Sequence, residues 1–206
     1  MIVKVCGMRE AKNIQELDHI NGLDWIGFIF YPPSLRYVKA VPCYLPQEKK
    51  RVGVFVNESP SIIAKHVEDF GLQMIQLHGN ETPDFCQQLR NILGTEIKLI
   101  KMIAIATEED LEKSQMYEHC VDYLLFETKF SGYGGSGKVF DWNILHHYQG
   151  KKPFLITGGI QPSDVEKVQA YSHPMFVGID LNSGFEIAPG LKDSNTIKDF
   201  IQKLNN

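Results

Sequence analysis

Short runs of apolar and β-branched residues alternate along the chain with longer stretches in which apolar residues recur every three or four positions. The runs predict eight strands, at 2–6, 25–30, 51–56, 74–78, 97–103, 123–128, 154–158 and 176–181. Residues that favour helix N-termini precede five of the intervening stretches, at Ser59, Thr82, Thr107, Pro162 and Asp193. Helices are also expected near 10–20 and 140–148, whereas the stretch after Pro42 is short and flanked by proline. This order predicts repeated βα units around a parallel sheet.

Eight consecutive βα units without an antiparallel edge strand favour an α/β fold closed into a (β/α)8 TIM barrel over an open doubly wound sheet. The length of 206 residues suits one domain spanning 1–206, and no linker or low-complexity tract divides it. In TIM barrels the chemistry gathers at the C-terminal ends of the strands. Candidate functional residues are therefore sought there.

Composition narrows the possible partners. Apolar residues make up 43% and charged residues 22%, as in ordinary globular proteins. The formal net charge of -4 and the lack of a basic cluster argue against a nucleic-acid partner. We see neither a signal peptide nor a stretch long enough to span a bilayer, so we expect a cytoplasmic protein without a membrane partner. The four cysteines are widely spaced and form no C-x-x-C, so neither a disulfide framework nor a metal site is expected.

The predicted strand ends carry chemically diverse side chains. Cys6, His78, Glu127 and Asp180 lie at the ends of the first, fourth, sixth and eighth strands, and Arg36 follows the second. Cys6 could be a packed barrel residue, but a thiol at a strand tip would point into the mouth of the barrel. Glu127 would lie across that mouth and could act as a complementary acid, an arrangement suited to proton transfer at neighbouring carbons. For His78, pocket lining and structural hydrogen bonding stay equally open.

Glycine-rich segments follow the last two predicted strands. Gly158 and Gly159 come after the seventh strand, and Asn182, Ser183 and Gly184 after the eighth. TIM-barrel enzymes commonly bind a phosphate at this position on exposed backbone N–H groups, which glycine allows an anion to approach closely. Each glycine alone could be an ordinary turn residue. The paired position predicts a site for a small phosphorylated substrate.

The segment GYGGSGK at 132–138 matches G-x-G-x-x-G and nearly matches a P-loop. Val139 occupies the position where a P-loop needs a hydroxyl, and no ribose-binding carboxylate is placed as in a dinucleotide fold. We interpret this segment as a mobile loop that closes over a substrate, and not as a nucleotide site.

Several motifs together resemble one family along almost the whole chain. They are KVCGM at 4–8, GFIFYPPSLRYV at 27–38, VGVFVN at 52–57, IQLHGNE at 75–81, YGGSGKVFDW at 133–142, TGGIQPSDV at 157–165 and GIDLNSGFEIAPGLKD at 178–193. In these stretches the sequence resembles phosphoribosylanthranilate isomerase of tryptophan biosynthesis. The resemblance implies an Amadori rearrangement of N-(5-phosphoribosyl)anthranilate without metal or organic cofactor, by a monomer or homodimer.

The resemblance also implies residue roles. Cys6 matches the general base, whose thiol is expected to have a lowered pKa, and Arg36 matches the residue that pairs with the anthranilate carboxylate. Asp180 matches an aspartate near the sugar hydroxyls, and the two glycine-rich segments match the phosphate loops. Glu127 stands where the family usually has aspartate, and glutamate is chemically competent as the acid. The alternatives are another phosphosugar isomerase or epimerase barrel, or a non-catalytic binder of a phosphorylated ligand, which would have lost Cys6 or Glu127.

Overall fold

The computed structural model describes residues 1–128 and 142–206. Within this part of the chain, eight parallel strands hydrogen-bond in sequence order and close into a barrel. They are β1 Ile2–Val5, β2 Trp25–Ile29, β3 Lys50–Phe55, β4 Met74–Leu77, β5 Lys98–Ile105, β6 Tyr123–Thr128, β7 Phe154–Thr157 and β8 Phe176–Leu181. The predicted TIM barrel is confirmed, and each strand bound falls within two residues of the prediction.

Helices connect most of the strands on the outside of the barrel. They are α1 Ala11–Asp18, α2 Pro60–Phe70, α3 Pro83–Leu93, α4 Glu109–Gln115, α5 Val165–Ala170 and α6 Ser194–Leu204, with short 3-10 helices at Trp142–His147, Pro162–Asp164 and Ser183–Phe185. The predicted start signals act as N-caps at three helices. Ser59 accepts a hydrogen bond from the Ile62 backbone, Thr82 accepts one from that of Phe85, and Asp193 caps α6.

Some connections differ from the sequence prediction. The predicted cap at Thr107 does not form: α4 begins at Glu109 after Glu108, which makes no side-chain capping hydrogen bond. Asp110, in the first turn, instead accepts hydrogen bonds from the backbone N–H groups of Ala106 and Thr107 before the helix. No helix forms in the described segment between β2 and β3. The buried Asp18 carboxylate instead ties that segment to α1 through three consecutive backbone N–H groups, at 47–49, and the Tyr44 hydroxyl. The predicted glycine loop at 132–138 lies outside the described residues.

A short antiparallel hairpin follows β8 and was not predicted. It comprises β9 Glu186–Ala188 and β10 Leu191–Lys192. Asn13 of α1 holds β10 in place, since its amide oxygen accepts from Lys192 N and its amide nitrogen donates to Lys192 O. The hairpin is therefore anchored next to the C-terminal end of β8.

The barrel has two apolar layers. Outward strand residues pack against the helices in the larger core. Inward residues fill the N-terminal half of the barrel, and we call these six residues the apolar floor: Trp25, Val52, Met74, Ile100, Leu125 and Leu155. Successive side chains of a strand point to opposite faces, so the next inward positions lie toward the C-terminal ends. Within the described residues, no helix combines the length and apolar character needed to cross a membrane.

Candidate active site

A cavity of about 430 Å³ lies above the apolar floor, at the C-terminal ends of the strands. This size falls in the usual range for small-molecule sites. Its lining comprises Cys6, Ile29, Tyr31, Ser34, Val54, Val56, Gln76, His78, Glu127, Thr157, Asp180 and Asn182. Five of the predicted site residues therefore meet in one cavity, namely Cys6, His78, Glu127, Asp180 and Asn182.

Cys6 follows β1 and is almost fully buried. A Cβ placed on Gly27 of β2 would lie 2.9 Å from the Cys6 sulfur, so the absence of a side chain at Gly27 gives the thiol its room. Lys4, two residues earlier on the same inward face, is also buried, and its charge lowers the pKa of the Cys6 thiol against the effect of burial. Sequence reasoning missed Lys4. Its signal was a lysine at an inward position of an otherwise apolar strand.

The electrostatic setting of Cys6 opposes the expectation of a lowered pKa. Burial raises the pKa of the Cys6 thiol, because a thiolate loses its hydration in the barrel interior. Lys4 and Lys192 counteract this shift, while the carboxylate of Asp180 reinforces it. The net direction of the pKa shift is upward, because the effect of burial exceeds that of the two lysines.

Asp180 and Lys4 form a buried ion pair across the β1–β8 junction. They are register partners in the two strands, and Lys4 Nζ donates to Asp180 Oδ2 at 2.6 Å. Burial raises the pKa of Asp180, against the opposing effect of Lys4. The second carboxylate oxygen, Oδ1, is buried and has no hydrogen-bond partner among the described residues. Asp180 also lines the cavity.

Glu127 and His78 lie together on another side of the cavity. His78 Nε2 is 3.5 Å from Glu127 Oε2, and Gln76 Nε2 is 2.9 Å from His78 Nδ1. A hydrogen bond from the Gln76 amide to Nδ1 places the imidazole proton on Nε2, facing the carboxylate of Glu127. His78 thus lines the cavity and contacts the candidate acid. Gln76 was missed, although it is the inward residue two positions before His78.

Arg36 does not line this cavity. Its Nε and Nη2 donate to the two carboxylate oxygens of Glu186, at 2.8 and 2.6 Å. Lys192 Nζ donates to the same Glu186 at 2.6 Å and to Asn182 Oδ1 at 2.7 Å. Burial opposes ionisation of Glu186, but these hydrogen bonds lower its pKa to about 2. Sequence reasoning missed Glu186 and Lys192, which belong to the unpredicted hairpin.

The two glycine-rich segments lie against each other. Gly158 and Gly159 have φ of 96° and 69°, a left-handed backbone that favours glycine. A Cβ on Gly184 would lie 2.3 Å from the carbonyl oxygen of Ile160, so the segment after β8 packs directly on the segment after β7. Neither Ser183 nor these three glycines lines the cavity itself, but their neighbours Thr157 and Asn182 do.

The structure describes residues 1–128 and 142–206. No group of three or more His, Cys, Asp or Glu side chains in this part of the chain could hold a metal ion.

A closed parallel barrel with a thiol, an imidazole and two carboxylates at its C-terminal mouth belongs to the TIM-barrel class, whose enzymes act on ligands at this face. The sequence profile of the family described as N-(5'phosphoribosyl)anthranilate (PRA) isomerase matches residues 3–203. The N-(5'-phosphoribosyl)anthranilate isomerase of Phocaeicola vulgatus is 50% identical over 204 residues, which cover 99% of this chain and 98% of that relative. The chain belongs to the N-(5'-phosphoribosyl)anthranilate isomerase family.

Solved structures of the family superpose closely on the barrel. Phosphoribosyl anthranilate isomerase from Thermotoga maritima has a TM-score of 0.83 and 33% identity, covering 100% of this chain and 99% of its own. A phosphoribosyl anthranilate isomerase in complex with reduced 1-(o-carboxyphenylamino)-1-deoxyribulose 5-phosphate has a TM-score of 0.80 and 30% identity, with the same coverage. The predicted family and the enzyme class, an isomerase, are confirmed.

Proposed function

We propose that this chain converts N-(5'-phosphoribosyl)anthranilate to 1-(o-carboxyphenylamino)-1-deoxyribulose 5-phosphate in tryptophan biosynthesis, with Cys6 as general base and Glu127 as general acid. The observation that carries the proposal is that both side chains line one cavity together with Asp180. Family membership supports the choice of substrate.

The first half of the reaction needs an acid. Protonated Glu127 gives its proton to the furanose ring oxygen, the bond between that oxygen and C1 breaks, and the nitrogen lone pair forms a C1=N double bond. The product of this step is an open-chain protonated Schiff base. The His78 imidazole, 3.5 Å from the Glu127 carboxylate, can donate to the carboxylate that remains.

The second half needs a base. The Cys6 thiolate removes the C2 proton, and the C–H electron pair forms a C1=C2 double bond while the nitrogen regains its lone pair. The resulting enolamine tautomerises when C1 gains a proton and the C2 hydroxyl loses one. The steps balance without an oxidant or reductant. Because burial raises the pKa of Cys6, Lys4 is the cation that supports the small thiolate fraction.

Substrate binding uses the surroundings of these two groups. We assign the sugar hydroxyls to Asp180, which lines the cavity beside Cys6 and Glu127. We assign the phosphate to the two packed segments, where Gly158, Gly159, Asn182, Ser183 and Gly184 offer backbone N–H groups. Arg36 is assigned to the anthranilate carboxylate.

Turnover of freshly made N-(5'-phosphoribosyl)anthranilate tests the proposal directly. We expect the anthranilate fluorescence to fall when purified protein is added, and to fall far more slowly with the Cys6→Ser variant as the matched control. No loss of fluorescence from a protein shown to be folded by circular dichroism would contradict the proposal. Turnover of ribulose 5-phosphate in its place would favour the alternative of a phosphosugar epimerase.

A further inference from the structure

Glu186 lies between two cations near the mouth of the barrel. One of its oxygens, Oε1, accepts hydrogen bonds from Arg36 Nε at 2.8 Å, Lys192 Nζ at 2.6 Å and Gly190 N at 2.9 Å. The other oxygen, Oε2, accepts from Arg36 Nη2 at 2.6 Å. The Glu186 side chain is only 5% exposed. A carboxylate so buried costs free energy unless its charge is compensated, and here two cations do so.

This pairing determines which part of the Arg36 guanidinium faces a ligand. A guanidinium can bind a carboxylate through Nε and Nη2, at its side, or through Nη1 and Nη2, at its end. In Arg36 the side formed by Nε and Nη2 binds Glu186. The Nη1–Nη2 end carries the remaining N–H groups. The Arg36 side chain retains 22% exposure, so part of it stays open beyond the contact with Glu186.

The same carboxylate links Arg36 to the segment that follows β8. Lys192, held by Glu186, also donates to Asn182, which lines the cavity. A Cβ placed on Gly7 would lie 2.7 Å from Arg36 Cδ and 3.1 Å from Asn182 Oδ1, which shows how closely these groups approach. Arg36, Lys192 and Glu186 together leave one net positive charge. That excess suits an anionic ligand group.

We propose that Glu186 is a positioning residue that sets the specificity for the substrate's aromatic carboxylate, by fixing Arg36 so that its guanidinium end meets that carboxylate. The inference rests on the proposed function and assigns to Glu186 a role exerted through Arg36. Glu186 itself does not touch the substrate.

The test measures KM and kcat for N-(5'-phosphoribosyl)anthranilate in Glu186→Gln, Arg36→Met and the double variant. Glutamine keeps the shape but turns one acceptor of Arg36 into a donor, so we expect KM to rise about tenfold with kcat within about twofold, in the range of one charge-assisted hydrogen bond. In the Arg36→Met background, Glu186→Gln should raise KM no further. Independent, additive effects in the double variant would overturn the proposal.

Calorimetric binding of two ligands separates positioning from a general structural role. The ligands are the reduced product and its phenylamino counterpart without the carboxylate. Glu186→Gln should weaken the first about tenfold and leave the second within about twofold, because only the first engages Arg36. Equal weakening of both would overturn the proposal. If wild-type protein turns over no substrate at all, the proposed function fails first, which distinguishes the two failures.

Asp122→Asn is the matched control, since Asp122 pairs with Arg90 just before β6, at the opposite end of the barrel. It should lower the thermal midpoint without changing KM.

Glu186→Asp provides a second variant if Glu186→Gln does not fold. It keeps the negative charge but shortens the reach to Arg36, so KM should still rise severalfold; an unchanged KM would overturn the proposal.

Discussion

The two halves of the barrel interior are built from the same strands but from opposite kinds of residue. In β4 Met74 of the apolar floor lies below Gln76, in β6 Leu125 lies below Glu127, and in β7 Leu155 lies below Thr157. Part of the upper layer is as buried as the floor, since Lys4 and Gln76 are each 1% exposed, whereas the Glu127 side chain is 35% exposed. The buried polar groups of this layer therefore need partners from within the fold, whereas the floor needs only close packing.

The two layers therefore contribute different properties to the protein. Burial of the floor contributes stability without chemistry. The upper layer contributes chemistry, and it tolerates its own burial through pairs such as Lys4 with Asp180. Single substitutions should therefore affect either turnover or stability, according to the layer in which they fall.

The largest expected effect on turnover is that of Cys6→Ser. Serine is a far weaker base, and general-base contributions are typically about 100- to 10,000-fold, so kcat should fall by two or more decades with KM nearly unchanged. Steady-state fluorescence kinetics measure both kcat and KM. Cys43→Ser is the control, because Cys43 is a free and exposed cysteine. A Cys6→Ser variant within about threefold of wild type would assign the base elsewhere.

Substitution of Glu127 should lower turnover nearly as much as substitution of Cys6. Glu127→Gln cannot donate a proton to the ring oxygen, so kcat should drop by about 100-fold or more while binding of the reduced product persists. Glu127→Asp should retain substantial activity, because it keeps the carboxyl group and restores the residue usual in the family. Normal turnover by the Gln variant would make Asp180 the next candidate for the acid.

A substitution in the apolar floor should instead lower stability and leave turnover nearly unchanged. Leu125→Ala removes a side chain that is 1% exposed and packed inside the barrel, so the free energy of unfolding should fall by about 2–5 kcal/mol. Because Leu125 does not line the cavity, kcat of the folded fraction should stay within about twofold. Urea unfolding and kinetics on the same sample measure both. A kcat loss as large as that of Cys6→Ser would show that the two layers are not separate.

The smallest expected effect concerns the ionisation of Cys6. Burial places its pKa above the ordinary thiol value, so the thiolate fraction should rise about tenfold per pH unit through the neutral range and beyond. Alkylation of Cys6 by iodoacetamide in a Cys43→Ser background, located by mass spectrometry, reports this fraction. Lys4→Met removes the nearest cation, which should raise the pKa further and slow alkylation at a given pH. A rate already constant above pH 7 would contradict a raised pKa.

Much of the barrel could be predicted from local patterns in the sequence. Each strand is a short apolar run, and the caps at Ser59, Thr82 and Asp193 act over only two or three residues, so both signals are contained in the sequence. Strand ends converge in a parallel barrel, which is why Cys6, His78, Glu127, Asp180 and Asn182 could be assigned to one site. The hairpin at 186–192 could not, because two very short strands have no distinctive periodicity.

The partners of the charged groups around the site were decided by the tertiary structure alone. Arg36 and Glu186 are 150 residues apart in sequence, and Lys4 and Asp180 are 176 apart. Nothing in the local pattern around Lys4 shows that closure of β1 against β8 places a carboxylate opposite it. The raised pKa of Cys6 has the same origin, since desolvation depends on how much of the folded chain surrounds the thiol. By itself the sequence determined the periodicity, the caps and the residue types at the strand ends, because these depend on neighbours along the chain. The tertiary structure decided the charge pairing and the hydration, because these depend on neighbours in space.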